Sequence, residues 1–152
     1  MKTLFWFSLL GVLYAYFLYP LVLLVMGRVF ARPVAAAAPG TPLDYQVSMV
    51  IPVHNEARVL PAKLDNLAAL DYPADRLQVI FVSDGSTDST MDLLRAAQAR
   101  LAFRMTLVEL AERKGKANGL NAGLAEADGE IVVFSDASIL LEPQSIHNIL
   151  RP

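Results

Sequence analysis

Cysteine is absent from this chain of 152 residues. That removes disulfides and thiolate metal sites, and it agrees with a reducing compartment. Two phosphate-binding signatures are missing as well. Neither GxGxxG nor GxxxxGK followed by Ser or Thr occurs, so neither an ordinary dinucleotide site nor a P-loop is expected. Charge is missing from Thr3 to Gly27, and no long basic run occurs anywhere. There is no internal repeat, and low complexity is confined to the alanines at 35–38. Of 13 basic residues, Lys2, Arg28 and Arg32 flank the uncharged stretch, and the other ten face 15 acidic ones. That acidic balance argues against nucleic acid as the main partner.

What is present begins with apolar surface. The apolar fraction, 55%, exceeds the ordinary globular range of about 45–50%. The excess sits at the front. A helix over Thr3–Gly27, at about 1.5 Å per residue, is longer than the roughly 30 Å hydrocarbon core of a bilayer. Signal-peptide apolar regions run only about 7–15 residues, so a retained transmembrane helix is favoured over a cleaved leader, despite the alanines that resemble a cleavage site. Aromatic residues from Phe5 to Tyr19 suit a span with interfacial ends. Pro20 is expected to kink it. Residues 1–32 are thus assigned to the helix and its flanks. Positive charge is in excess after the span, which places the remainder in the cytoplasm. Residues 33–45, PVAAAAPGTPLDY, hold three prolines and a glycine and form a linker.

From residue 46 the pattern alternates. VSMVIP (47–52), LQVIFVSD (77–84), FRMTLVEL (103–110) and Ile131–Ser135 read as strands. Between them, helical spacing runs over Ala57–Leu70 (Leu60, Leu64, Leu67), Ser89–Leu101 (Leu94, Ala97, Leu101) and onward from Lys116 (Ala117, Leu120, Leu124, Ala127). A last helix starts after Pro143. Four strand–helix units predict an α/β domain with a parallel, doubly wound sheet, which binds ligands at the carboxyl ends of its strands.

Polar residues cluster at those ends. After the first strand come His54, Asn55 and Glu56, with Asn55 suited to cap the next helix and Glu56 to its dipole. The second strand delivers Asp84, followed by Gly85 for a turn and by Ser86 or Asp88 as caps. ERKGKANGLNAGL (112–124) opens a helix with Arg113, Lys114 and Lys116. Cations at a helix N-terminus oppose the dipole and call for an anionic partner such as a diphosphate. The fourth strand delivers Asp136. Beside a diphosphate, Asp136 suits Mg²⁺ or Mn²⁺, and Ser138 offers a neutral, weaker oxygen.

In order and spacing, IPVHNEARVL (51–60), VSDGSTDST (82–90) and RKGKANGLNAGLAEADGEIVVFSDAS (113–138) resemble the nucleotide-binding half of family 2 glycosyltransferases. The likeness covers about residues 46–150. LAALDYPADRLQVIFVSDGSTDST (67–90) is most similar to membrane-bound bacterial members, which include polysaccharide synthases. The resemblance implies a GT-A fold, a Rossmann-like and mostly parallel sheet flanked by helices, with the C-terminal half of the domain missing. It also implies roles. Pro52, His54 and Glu56 border the uridine, with His54 standing where a tyrosine is common. Asp84 hydrogen-bonds the uracil. Lys116 approaches the donor phosphates, with Arg113 as helper. Asp136 is the first acid of an Asp-x-Asp metal motif, and Ser138 stands where the second acid is usual. The catalytic base is expected beyond Pro152.

Two readings stay open at this point. In one, residues 46–152 are the donor half of a glycosyltransferase in the bacterial inner membrane. It faces the cytoplasm and passes a sugar from a UDP-sugar to a saccharide or lipid-linked acceptor, and the fragment alone is inactive. In the other, the chain is a non-catalytic GT-A-like membrane protein that assembles with a polysaccharide synthase. Ser138 motivates the second.

Overall fold

The computed structural model describes residues 2–30 and 45–151, which belong to two compact units. Arg32 and the linker up to residue 44 lie outside the described residues. The first unit is a helix, Lys2–Val29, long and apolar enough to cross a membrane. It runs as α1 (Lys2–Leu13), a π-helical stretch (Tyr14–Leu18) and α2 (Tyr19–Val29). The π stretch stands directly before Pro20, where a kink is expected. Proline has no N–H to give and its ring crowds the carbonyl one turn back. The wider turn accommodates it, with Tyr19 N–H bonded to Tyr14 O five residues back.

The second unit is built on four strands: β1 (Val47–Val53), β2 (Leu77–Asp84), β3 (Arg104–Leu110) and β4 (Ile131–Phe134). All pair in parallel, in the order β3-β2-β1-β4. The chain therefore winds outward from β1 in both directions, and the order reverses between β1 and β4. Side chains alternate between the faces. Met49, Ile51, Val79 and Phe81 face the larger core beneath α3 (Leu60–Ala68), α4 (Thr90–Gln98) and α6 (Ser145–Leu150). Val50, Ile80 and Val82 face α5 (Lys116–Ala125). The apolar runs of β1 and β2 were legible as strands because both their faces are covered.

Pro52 lies within β1 without breaking a ladder. Val50 O accepts the Ser135 N–H on the β4 side. Pro52, two residues on, faces that same side beyond β4's last paired residue, Phe134. Its missing N–H costs nothing there, and the strands part at this point.

A local expectation needs correction. The helix expected from Ala57 begins at Leu60, with Val59 as its N-cap and no capping side chain. Asn55 therefore does not cap it. More informative is α5, which begins at Lys116 as expected and packs Leu120, with Ala127 just beyond its end, only partly buried against the sheet. The fully buried residues are Gly119 and Gly123, and Leu124 is 47% exposed. The glycine pair lets the helix press onto Val50 and Val82. A Cβ on Gly123 would stand 2.3 Å from Val50 Cγ1 and 2.9 Å from Val82 Cγ2. Gly123→Ala is expected to destabilise the domain by about 1–3 kcal/mol through overpacking, read by thermal unfolding of the full chain in detergent.

Candidate active site: a cleft at the strand tips

A cleft of about 330 Å³ opens where β1 and β4 diverge, at the carboxyl ends of the strands. Pro52, His54 and Glu56 line it from β1 and its loop, and Asp84 from the tip of β2. Arg113 and Lys116 come from the loop entering α5, and Asp136 and Ser138 from beyond β4. All eight anticipated residues thus border one space. A larger cleft, about 510 Å³, lies at the opposite strand ends near Gln46, Leu77 and Arg104. It holds none of the eight, and open α/β sheets bind ligands at the carboxyl ends.

Asp84 organises the cleft floor. Its Oδ1 accepts the Lys114 N–H at 2.7 Å and its Oδ2 accepts the Gly115 N–H at 2.8 Å. The carboxylate thereby ties down the loop that carries Arg113 and Lys116. The Lys114 N–H does most to hold its pKa below the ordinary value. The Gly115 N–H, His54 and Arg113 add to this, and desolvation opposes it. An ionised carboxylate offers about four lone-pair sites, so two bonds leave capacity for a ligand donor. Overhead, His54 Nδ1 lies 2.7 Å from the Asp84 carbonyl oxygen. A carbonyl only accepts, so Nδ1 donates its N–H in that bond.

Across the cleft, Lys116 Nζ donates to Asp136 Oδ1 at 2.5 Å. Both side chains are about half exposed, so the pair is weakly held and easily exchanged for other partners. Ala137 is buried in the core, which fixes the loop, and Ser138 is exposed. No cluster of three or more His, Cys, Asp or Glu suited to a metal occurs among the described residues. One carboxylate and one hydroxyl fit a hard divalent cation only if phosphate oxygens and water complete the shell.

Several residues have duties that local reading missed. Asn55 adopts φ 55°, and its Oδ1 accepts N–H groups from Thr87 at 2.8 Å and Asp88 at 3.3 Å. Return bonds run from Asn55 N to Ser86 Oγ, Glu56 N to Thr90 Oγ1 and Ala57 N to Asp88 Oδ2. The Ser/Thr/Asp run after β2 is thus a stitch between neighbouring loops. The N-cap of α4 is Ser89 and makes no side-chain cap bond, whereas Asp88 Oδ1 accepts the N–H of the helix's first residue, Thr90. Lys63, on α3, was overlooked altogether. It is fully buried, and its Nζ donates to Ser135 Oγ at 3.0 Å and Ile139 O at 2.6 Å. The signal was available: Lys63 interrupts the apolar stripe Leu60, Leu64, Leu67.

A parallel sheet wound outward from its centre, with acids and cations gathered at the switch point, defines a nucleotide-type α/β binding domain. The profile of Glycosyl transferase family 2 matches residues 48–152, and the chain belongs to that family. A probable glycosyltransferase of Bacillus subtilis, YdaM, is 34% identical over 107 residues, covering 69% of this chain and 26% of that protein. An undecaprenyl-phosphate 4-deoxy-4-formamido-L-arabinose transferase of Aeromonas hydrophila is 35% identical over 106 residues, 69% of this chain and 32% of that one. The chain therefore spans about a quarter to a third of the length of these relatives. Among solved structures, the mannosyltransferase of Pyrobaculum calidifontis in complex with GDP-Man and Mn²⁺ superposes with a TM-score of 0.72. It is 36% identical and covers 91% of this chain and 41% of its own. TarS of S. aureus in complex with UDP-GlcNAc gives 0.63 at 25% identity, over 68% of this chain and 30% of that one. These likenesses establish the GT-A fold expected from the sequence.

Proposed function

We propose that this chain is the donor-binding part of a membrane-anchored glycosyltransferase, one that takes a UDP-sugar and serves a saccharide or lipid-linked acceptor. The observation that carries the reading is the convergence of all eight anticipated residues on the switch-point cleft. Pro52, His54 and Glu56 border the base. The hydrogen bond from His54 Nδ1 to the Asp84 carbonyl holds the ring in place for stacking. Asp84 holds the basic loop and keeps lone pairs for the base. Lys116 and Arg113 meet the diphosphate, Lys116 by leaving Asp136. Asp136, with Ser138, would hold Mg²⁺ or Mn²⁺ beside the diphosphate. The ion's chemistry there is to neutralise charge developing on the leaving diphosphate.

The acceptor's base is assigned beyond Pro152, in keeping with the fraction of the relatives' length that this chain spans. The names of the undecaprenyl-phosphate transferases support a lipid-linked acceptor. The apolar helix Lys2–Val29 supports an anchor, and we place it in the bacterial inner membrane with the domain on the cytoplasmic side. One observation favours the rival, a nucleotide-free partner of a synthase: the sparse donor set at Asp136 and Ser138.

Calorimetric titration of the full chain in detergent with UDP or GDP, with and without MnCl₂, tests the reading. UDP is expected to bind more tightly than GDP, and with Mn²⁺ more tightly than without. Asp136→Asn is expected to weaken Mn²⁺-dependent UDP binding by about tenfold or more, whereas Ser138→Asp holds or strengthens it. A folded wild-type chain that gives no heat with UDP and Mn²⁺ leaves the rival standing.

A further inference from the structure

Lys63 has no role in the donor site as described, yet its position is costly. Leaving an ammonium in a protein interior costs several kcal/mol even after relaxation. Its two hydrogen-bond partners are neutral oxygens, Ser135 Oγ and Ile139 O. These lie immediately outside the segment Asp136–Ser138, one on each side. One turn along α3, Asn66 repeats the arrangement. Its Nδ2 donates to Leu141 O at 2.7 Å, and its Oδ1 accepts the Leu141 N–H at 2.8 Å. On the sheet side the same loop is tied by the Ser135 N–H to Val50 O, and Ile139 N–H closes a turn on Asp136 O. The loop beyond β4 is therefore pinned to the sheet at its start and to α3 along its length.

We propose that Lys63, with Asn66, is a positioning residue of the donor site: the pair latches the 135–141 loop onto α3 and so aims Asp136 and Ser138 into the cleft. The inference rests on the donor-site reading for its consequence, though not for the latch itself. Burial lowers the Lys63 pKa, and the Asp136 carboxylate pulls it back up. Lys116 engages Asp136 from the cleft, where a ligand can displace it. Lys63 acts from behind, where none can.

Lys63→Met keeps the volume and removes the charge and donors. In the full chain, amide hydrogen exchange at 136–141 is expected to accelerate while exchange in β1 and β2 stays as in wild type. Mn²⁺-dependent UDP affinity is expected to fall about 10–100-fold, the usual effect of losing a partner that orients a metal ligand. Water-proton relaxation per bound Mn²⁺ should rise as water replaces a displaced Asp136. Leu94→Val, a core change on α4, should lower the melting temperature and leave affinity and relaxation unchanged. Unchanged exchange at 136–141 in Lys63→Met overturns the latch, whatever the donor does. Accelerated exchange with wild-type affinity and relaxation overturns its role in the site. If wild type itself binds no UDP, the donor reading fails, and the exchange arm still decides the latch. Should Lys63→Met lack native circular dichroism, Asn66→Ala carries the same readouts.

Discussion

Exchanging Asp84 for asparagine is expected to release the 112–116 loop and to lower UDP affinity by about tenfold or more, the scale set by losing a group that orients ligand-binding residues. The reason is geometric. Each carboxylate oxygen accepts one backbone N–H, from Lys114 and from Gly115. An amide supplies one acceptor and sets its NH₂ against the other N–H, so one bond becomes a repulsion. Arg113 and Lys116 ride on that loop, so both phosphate cations lose their placement together. Hydrogen exchange at Lys114 and Gly115 should speed up, and the calorimetric heat with UDP should shrink. Wild-type protection together with wild-type affinity would show that the clasp is not needed. The pH dependence has a definite sign. Asp84 and Asp88 both titrate below the ordinary carboxylate value, Asp84 chiefly through the Lys114 N–H and Asp88 chiefly through the Thr90 hydroxyl. Groups so depressed contribute stability that is whole above the unfolded pKa of about 4 and is lost as pH falls through the lower folded values. Protection of the Lys114 and Gly115 amides should therefore hold from neutral pH down to about 4 and fail below it.

The strand tips were legible because each apolar run, buried on both faces in β1 and β2, ends sharply in polar residues. Asp84 and Asp136 stood out in that way. Partners distant in sequence were not legible. Asn55 stands between a strand and a helix, which is where a cap belongs, yet its acceptors' donors are Thr87 and Asp88, more than thirty residues on. On α5 the glycines carry no weight in an apolar periodicity, although they make the closest approach to the sheet. Close approach to Val50 and Val82 selects Gly119 and Gly123, which add no volume. Lys63 fell inside a helical stripe and was passed over as an interruption. A lysine in a core position is a stronger signal than the leucines around it, because burial costs it more. The order of the strands follows from the crossovers, which no local pattern contains.

Gly85→Ala should cause the largest loss of stability among these changes, roughly 2–5 kcal/mol from a left-handed conformation combined with a steric conflict. Gly85 adopts φ +64°, and a Cβ there would stand 2.7 Å from Arg113 N and 2.9 Å from Glu112 C. Both obstacles are backbone, so no side chain can rotate out of the way. The loop must move, and it is the loop that Asp84 clasps from the adjacent position. Gly115 separates the two contributions. Its φ is +90°, but nothing lies within 4 Å of a Cβ built there. With φ 90° and ψ 163° in a region almost reserved for glycine, Gly115→Ala should show a conformational cost without the steric one, about 1–3 kcal/mol. Thermal unfolding of the two variants in parallel measures the difference. Equal losses would mean that the approach of the 112–113 backbone to the β2 tip is slack. A larger loss in Gly85→Ala, accompanied by faster exchange at 112–116 and weaker UDP binding, would tie the tightness of that approach to the placement of Arg113 and Lys116.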